Sequence, residues 1–381
     1  MPEIEIVIVG GGPAGLSTAG ALKTLGLSAV VLEKDDRIGG SWLRRYERLH
    51  LHTVRAFSGL AHFPLPRQLP KYVSKDQYAQ YLQEYAAHFD LKCVLNSPVR
   101  KVRVAADGHG DNLVVETEGE TWRSRVVVIA TGQYGVPMMP KWPGLEDYQG
   151  EVFHSGRYQS GKAFAGKCVL VIGVGNSGAE IAADLAEQGA AFVAVSIRTP
   201  PPIVPRDFLG TPVQVFGILM SRLPPRLADW IGAKLARIAL GDLTRHGLRS
   251  PAWRPFTAKR VPIIDVGFVQ EVKNGRVKVR PNVARFTRTG VVFEDGQEEA
   301  FDVVIAATGF TTGLDQLLEV GGVLDAKGSP LFPHGQRTAQ PGLFFMGFIE
   351  THRGHLYEAN LASRRLAQIV QEYLSSPQEG K

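Results

Sequence analysis

Four glycines of this chain recur at one constant offset. Gly10, Gly12, Gly15 and Gly26 are matched by Gly173, Gly175, Gly178 and Gly189, each 163 positions later (10 to 173, 12 to 175, 15 to 178, 26 to 189). Each set lies between two short β-branched runs: Ile4 to Val9 and Ala29 to Glu33 around the first, Val169 to Ile172 and Phe192 to Ile197 around the second. The stretches from Pro13 to Leu25 and from Asn176 to Gln188 carry small and apolar residues at helical spacing. The reading is therefore strand, tight turn, helix, strand, made twice. In such a βαβ unit the first glycine bends the chain and the second lets backbone approach a pyrophosphate. The third lets helix pack on strand, and the fourth takes the left-handed helix cap. One Gly-x-Gly-x-x-Gly is satisfied by any tight turn; two copies in register predict two dinucleotide sites. The fold class expected is α/β, with two Rossmann-like dinucleotide-binding domains.

The ends of the two second strands differ. Glu33 stands where a carboxylate accepts hydrogen bonds from the ribose hydroxyls of FAD or NAD and repels a 2′-phosphate. The equivalent position is Ser196, with Arg198 two residues on, the pattern expected for the 2′-phosphate of NADPH; an ordinary solvated arginine is the alternative. Beyond Glu33 and Lys34, the run Gly39-Gly40-Ser41-Trp42 lets backbone pass close to a ligand and supplies an aromatic cover, as a flavin requires. Two further buried-strand patterns, Val126 to Ala130 and Asp302 to Ala307, each close with Ala-Thr-Gly, giving Thr131-Gly132 and Thr308-Gly309. Their placement around the second unit predicts an NADPH domain inserted into a discontinuous FAD domain. The expected boundaries are 1–158 and 290–381 for the FAD domain and 159–289 for the NADPH domain, with an apolar insertion at about 200–240.

Other classes fall away. Cys93 and Cys168 are the only cysteines, so there is no disulfide framework, Cys-x-x-Cys redox pair or thiolate zinc site, and a reducing, cytoplasmic setting is expected. The net charge of +6 comes without a run of like charges, so no nucleic-acid arm is expected. Met1-Pro2 is no myristoylation signal, and Ile4 to Val9 is too short for a secretion signal. The apolar stretch from Val213 to Leu240 is interrupted by Arg222, Pro224, Pro225, Arg226 and Asp229, which excludes one clean span of ~20 apolar residues. No His-Glu-x-x-His, nucleophile elbow or phosphate loop of the Gly-Lys-Ser/Thr type is present, which removes the hydrolase and kinase readings.

A specific resemblance covers nearly the whole chain. Tyr148-Gln-Gly150-Glu-Val-Phe-His154-Ser-Gly-Arg-Tyr158 resembles the FxGxxxHxxxY/F signature of flavin-containing monooxygenases, and it lies between two dinucleotide motifs as in that family. The similar Baeyer–Villiger signature ends in Trp where this chain has Tyr158. Arg48 to His52, Tyr72 to Asp90, Gly175 to Gly178, Leu243 to Pro251, Val261 to Gly267 and Gly296 to Phe310 resemble the plant YUCCA-type branch. The resemblance implies FAD reduced by NADPH, a C4a-peroxyflavin formed with O2, and oxygenation of a small organic substrate, apolar or aromatic. N- or S-oxygenation and YUCCA-like oxidative decarboxylation of a 2-oxo acid both stay open. So do an NADPH-dependent flavin reductase or oxidase, Baeyer–Villiger chemistry and, as a lesser alternative, a non-catalytic flavoprotein. The cofactor contacts expected are Gly10, Gly12, Pro13, Ala14, Gly15, Glu33, Lys34, Gly40, Ser41, Trp42, His52, Val99, Thr131 and Gly132 on the FAD side. Those on the NADPH side are Gly173, Gly175, Asn176, Ser177, Gly178, Ser196, Arg198, Thr308 and Gly309.

Two residues are the catalytic candidates. Asn176, at a helix start in the second glycine turn, is either a helix N-cap or an amide at the cofactor junction, where it both donates and accepts. His52 stands where animal members carry asparagine and the YUCCA branch carries histidine; it is either a pH-sensitive group beside the flavin or a satisfied structural histidine. His154 is expected to order the linker rather than to transfer a proton. Ser74 to Gln77 reads as a capping box ahead of a core stripe of Tyr78, Leu82, Tyr85 and Phe89. The 200–240 insertion is expected to form a lid over the substrate, with peripheral membrane contact through residues 213–240 as the alternative.

Overall fold

A computed structural model describes residues 3–105 and 112–376; Met1 and Pro2 of the N-terminal reading lie outside the described residues. Two parallel-rich sheets organise the chain. The first runs in the order Leu318–Glu319, Val99–Val104, Leu113–Thr117, Thr121–Ile129, Glu3–Val9, Val30–Leu32, Lys92–Val94, and its eighth strand, Leu343–Phe345, pairs with the second half of Thr121–Ile129. The second has five strands, all parallel: Val277–Arg280, Phe192–Ser196, Cys168–Ile172, Val303–Ala306 and Glu151–His154. Central strands are continuous apolar runs, as both-face burial demands; Val126 to Ile129 and Val303 to Ala306 are buried throughout. The helices Pro13–Thr24 and His355–Ser375 share one core on the first sheet, while Asn176–Glu187 packs into that of the second.

The units repeat each other more closely than the glycines alone indicate. Glu3–Val9 pairs in parallel with the strand ending at Ala130-Thr131-Gly132, and Cys168–Ile172 pairs in parallel with the strand ending at Ala307-Thr308-Gly309. The second Ala-Thr-Gly strand thus belongs to the second sheet, as does Glu151–His154, whereas the sequence reading assigned both to the FAD domain. The chain rejoins the first sheet only at Leu318–Glu319 and Leu343–Phe345. The reason is that Val303–Ala306 and Val126–Ile129 carry the same buried β-branched pattern, which sets the strand state but not the sheet.

Both crossings between the sheets run side by side: Val136–Pro137 pairs antiparallel with Phe310–Thr311, and Gly135 and Met138 donate to Thr311 and Gly309. The capping box forms as expected, with Ser74 accepting from the Gln77 amide, and Tyr78, Leu82 and Tyr85 are fully buried behind it. The apolar insertion folds into the helices Val213–Met220 and Pro225–Leu240. Among the described residues no helix is long and apolar enough to cross a membrane, and no three His, Cys, Asp or Glu side chains gather to hold a metal.

Candidate functional site

Both glycine turns open into one cavity of about 1930 Å³. That is well beyond the roughly 300–1,000 Å³ of a site for one drug-sized ligand. The two sides have the same construction. Gly10 (φ +110°) and Gly173 (φ +94°) end their strands in the left-handed region, and a Cβ on either would lie 2.6 Å from a carbonyl oxygen, that of Ala130 or Ala307. Gly15 and Gly178 leave no room either, since a Cβ would come within 2.0 Å and 2.2 Å of the Gly10 and Gly173 oxygens. The middle glycines differ. Around Gly12 and Gly175, the N-caps of Pro13–Thr24 and Asn176–Glu187, a Cβ would meet nothing within 4 Å. Neither helix start has a side-chain cap, so its free N–H groups border open space, an arrangement that suits an anion such as a pyrophosphate. Glu33 fits the same ligand: its carboxylate accepts from the amides of Gly11 (2.6 Å) and Asp35 (3.0 Å), which fixes it beside the turn with lone pairs to spare for ribose hydroxyls.

Most expected contact residues line this cavity. Gly10, Gly12, Pro13, Ala14, Glu33, Lys34, Ser41, Trp42, His52, Val99, Thr131 and Gly132 form the first side, and Gly175, Asn176, Ser177, Gly178 and Gly309 the second. Six do not reach its wall. Gly15 and Gly173 act through packing, Gly40 is buried against Asp35, and the Thr308 hydroxyl donates to the Met138 carbonyl across the crossing. Ser196 is a correction: it is 1 % exposed and its hydroxyl donates to Pro281 O at 2.8 Å, so it ties two strand ends and is not free for a phosphate. Arg198 is exposed just off the wall, between the lining residues Ile197 and Thr199. Arg249, absent from the sequence reading, lines the wall and donates to Ile197 O at 3.0 Å.

The catalytic candidates sit where the two sides meet. Asn176 is not an N-cap; its Oδ1 accepts from the Ile264 amide at 2.8 Å, which ties the helix start to Ile263–Asp265 and leaves the amide NH2 for the cavity. His52 reaches across from the first side, and its Nε2 bonds Glu180, one helical turn beyond Asn176. Glu180, Asp184 and Glu187 occupy one face of Asn176–Glu187. Asp184 accepts from the Tyr158 hydroxyl (2.6 Å) and the Gly161 amide (2.8 Å), and Glu187 pairs with Arg48 at 3.1 Å. Burial and the Glu180 charge push the Tyr46 phenol well above its usual range, so that hydroxyl stays protonated. The acids were missed because residues 46–52 bear no periodicity that announces their partners, although a Glu on the apolar face of a helix is itself a signal. His154 has the structural role expected: Nε2 lies 2.9 Å from Gly309 O, Nδ1 accepts from the Gly156 amide at 3.0 Å, and burial lowers its pKa.

Known proteins resemble the chain along its length. A probable indole-3-pyruvate monooxygenase of Arabidopsis thaliana, YUCCA4, is 37% identical over 358 residues, 91% of this chain and 85% of that protein. An indole-3-pyruvate monooxygenase of Oryza sativa subsp. japonica, YUCCA1, is 37% identical over 370 residues, 92% of this chain and 87% of that protein. Among solved structures, a mutant flavin monooxygenase from Stenotrophomonas maltophilia superposes with a TM-score of 0.76 at 26% identity, covering 98% of this chain and 100% of that one. The fold is shared with an oxidised steroid monooxygenase bound to NADP, at a TM-score of 0.76, 20% identity, and 97% and 85% coverage. The family described as flavin-binding monooxygenase-like matches residues 3–380, and with two equivalent nucleotide cradles opening on one cavity this chain belongs to that family as a flavin-dependent monooxygenase.

Proposed function

We propose that the chain uses NADPH and O2 to oxidise an aromatic 2-oxo acid to the carboxylic acid one carbon shorter, releasing CO2. The observation that carries this reading is the single cavity joining both helix N-termini, because hydride donor and acceptor must meet face to face. FAD bound on the first side would supply the chemistry, redox exchange with the nicotinamide and activation of O2. The residues of this chain bind, orient and exclude water. The helix start at Gly12 and the Glu33 carboxylate hold one dinucleotide, the helix start at Gly175 the other, and Arg198 reads its 2′-phosphate. Asn176 presents its amide NH2 and His52 its ring where the two sides meet.

The substrate class is supported by the plant relatives named above and by the cavity's far wall. That wall is built from the insertion helices through Val213, Gly217, Met220, Ala233 and Ala236, beside Trp253, Phe256 and the cations Arg254 and Arg260. An apolar wall with aromatic rings and guanidinium groups matches an aromatic ring with a carboxylate. These helices act as the lid. A reducing, cytoplasmic setting belongs to the same reading, supported by two cysteines that stay free thiols.

The test is a stoichiometry. With indole-3-pyruvate as probe, NADPH oxidised, O2 consumed and CO2 released are expected in equal amounts; O2 converted wholly to hydrogen peroxide, without decarboxylation, would leave only an oxidase.

A further inference from the structure

His52 lines the cavity wall, and the fold gives just one of its two ring nitrogens a protein partner among the described residues. Nε2 of His52 is bonded to Glu180, a carboxylate 3 % exposed, and among the described residues Nε2 is the only nitrogen of this ring with a protein partner. The ring itself lines the cavity and keeps 20% of its side-chain surface accessible. A carboxylate in its ionised form only accepts hydrogen bonds, and an imidazole bonded to that form meets it with Nε2–H. In the neutral ring this leaves Nδ1 as a lone pair, because the bond made by one nitrogen sets the state of the other.

Glu180 is itself held. It lies on the rigid helix Asn176–Glu187, one turn from Asn176, with the Tyr46 phenol beside it; the Arg206 guanidinium is close enough to feel its charge. Arg206 in turn donates to Leu51 O at 2.6 Å, the residue before His52, and lies 3.7 Å over the Tyr72 ring. The titratable groups around His52 thus come from three elements: the Glu180 carboxylate from the second-side helix, the Arg206 guanidinium from the insertion, and the neutral Tyr46 phenol from the chain's own first side.

We infer that Glu180 is a positioning residue for this reaction: it holds His52 as the Nε2–H tautomer, so that Nδ1 faces the cavity as a hydrogen-bond acceptor for an O–H or N–H group of the bound cofactor or substrate. The same contact makes the ring's tautomer depend on how the two sides are docked, since Glu180 and His52 belong to opposite sides. A carboxylate orienting an imidazole is the logic by which catalytic triads fix their histidine. Here the carboxylate comes from the nucleotide helix that also carries Asn176.

The inference rests on the proposed function for its purpose and not for its test. In the FAD-loaded enzyme without substrate, long-range proton–nitrogen spectra of 15N-histidine report the tautomer, and the His52→Ala spectrum identifies the signals of His52. The wild type is expected to show a single Nε2–H form. Glu180→Gln is expected to turn it into a mixture, because an amide both donates and accepts, while Glu180→Asp keeps the single form. In turnover, Glu180→Gln is expected to raise several-fold the share of NADPH lost to hydrogen peroxide with NADPH affinity unchanged. A wild-type ring in the Nδ1–H form, or a Glu180→Gln spectrum identical to wild type, overturns the inference whatever the activity. A changed tautomer with unchanged peroxide loss overturns the positioning role. Should Glu180→Gln not fold, the wild-type and Glu180→Asp spectra decide. Failure of the proposed function shows elsewhere, as absence of oxidised product from the wild type, and leaves the tautomer result standing.

Discussion

The two glycines of one turn should fail in opposite ways when alanine replaces them. In Gly15→Ala the new methyl lies 2.0 Å from the Gly10 carbonyl oxygen, and real Cβ atoms essentially never come closer than 3.0 Å, so helix and turn must part by about 1 Å. The obstacle is backbone, which places the cost near the top of the about 1–3 kcal/mol typical of overpacking. Alanine's better helix propensity returns about 1 kcal/mol. A net loss of about 2 kcal/mol is expected in the flavin-free protein. In Gly12→Ala the methyl meets nothing within 4 Å and φ is −79°, which alanine adopts freely. The flavin-free protein should therefore unfold within about 0.5 kcal/mol of wild type, the scale of surface substitutions. Its methyl would stand in the space proposed for the pyrophosphate, so FAD affinity should collapse. Thermal and urea unfolding of the flavin-free forms, with FAD titration, separates the two. Gly12→Ala destabilised as much as Gly15→Ala, or binding FAD like wild type, would refute the reasoning. Gly175→Ala and Gly178→Ala should repeat the contrast for NADPH.

Three further outcomes are expected. Arg198→Ala should weaken NADPH about tenfold or more, the value of a charge-assisted hydrogen bond, and leave NADH nearly unchanged; equal losses in coenzyme titrations would show that Arg198 does not read the 2′-phosphate. Burial holds His154 below the usual 6.5, so stability is fully present above that value and is lost as pH falls toward the folded pKa. Unfolding midpoints of His154→Gln should accordingly drop less than wild type between about pH 7.5 and 5.5, and parallel curves would remove His154 from the acid response. Asp229 is buried in the insertion and accepts from the amides of Phe256 (2.8 Å) and Thr257 (2.9 Å). Asp229→Ala should loosen the lid, raising KM for the organic substrate with NADPH affinity intact; an unchanged KM would count against a lid.

What the sequence made legible followed local rules. Glycine spacing located both turns because each glycine answers to a steric demand of its own neighbourhood, and Ser74 with Gln77 announced a cap that closes within one helical turn. What stayed hidden depended on distant partners. Val303–Ala306 joins the second sheet through its register with Cys168–Ile172, a pairing that spans more than a hundred residues. Ser196 looked like a polar residue at a ligand site until Pro281 proved to take its hydroxyl. Glu180 meets His52 from the other side of the cavity, 128 residues away, and no local pattern encodes that meeting.

The paired crossings have a consequence for how such a chain can be cut. Pro137 lies opposite Phe310, and Val136 opposite Thr311. Residues 138–309 therefore leave and return at the tip of a two-stranded ribbon, the kind of site where whole domains are inserted and removed most readily. Excising them and joining Pro137 to Phe310 through a tight turn would close an ordinary β-hairpin. The first sheet would keep all eight of its strands, and all five strands of the second would leave together.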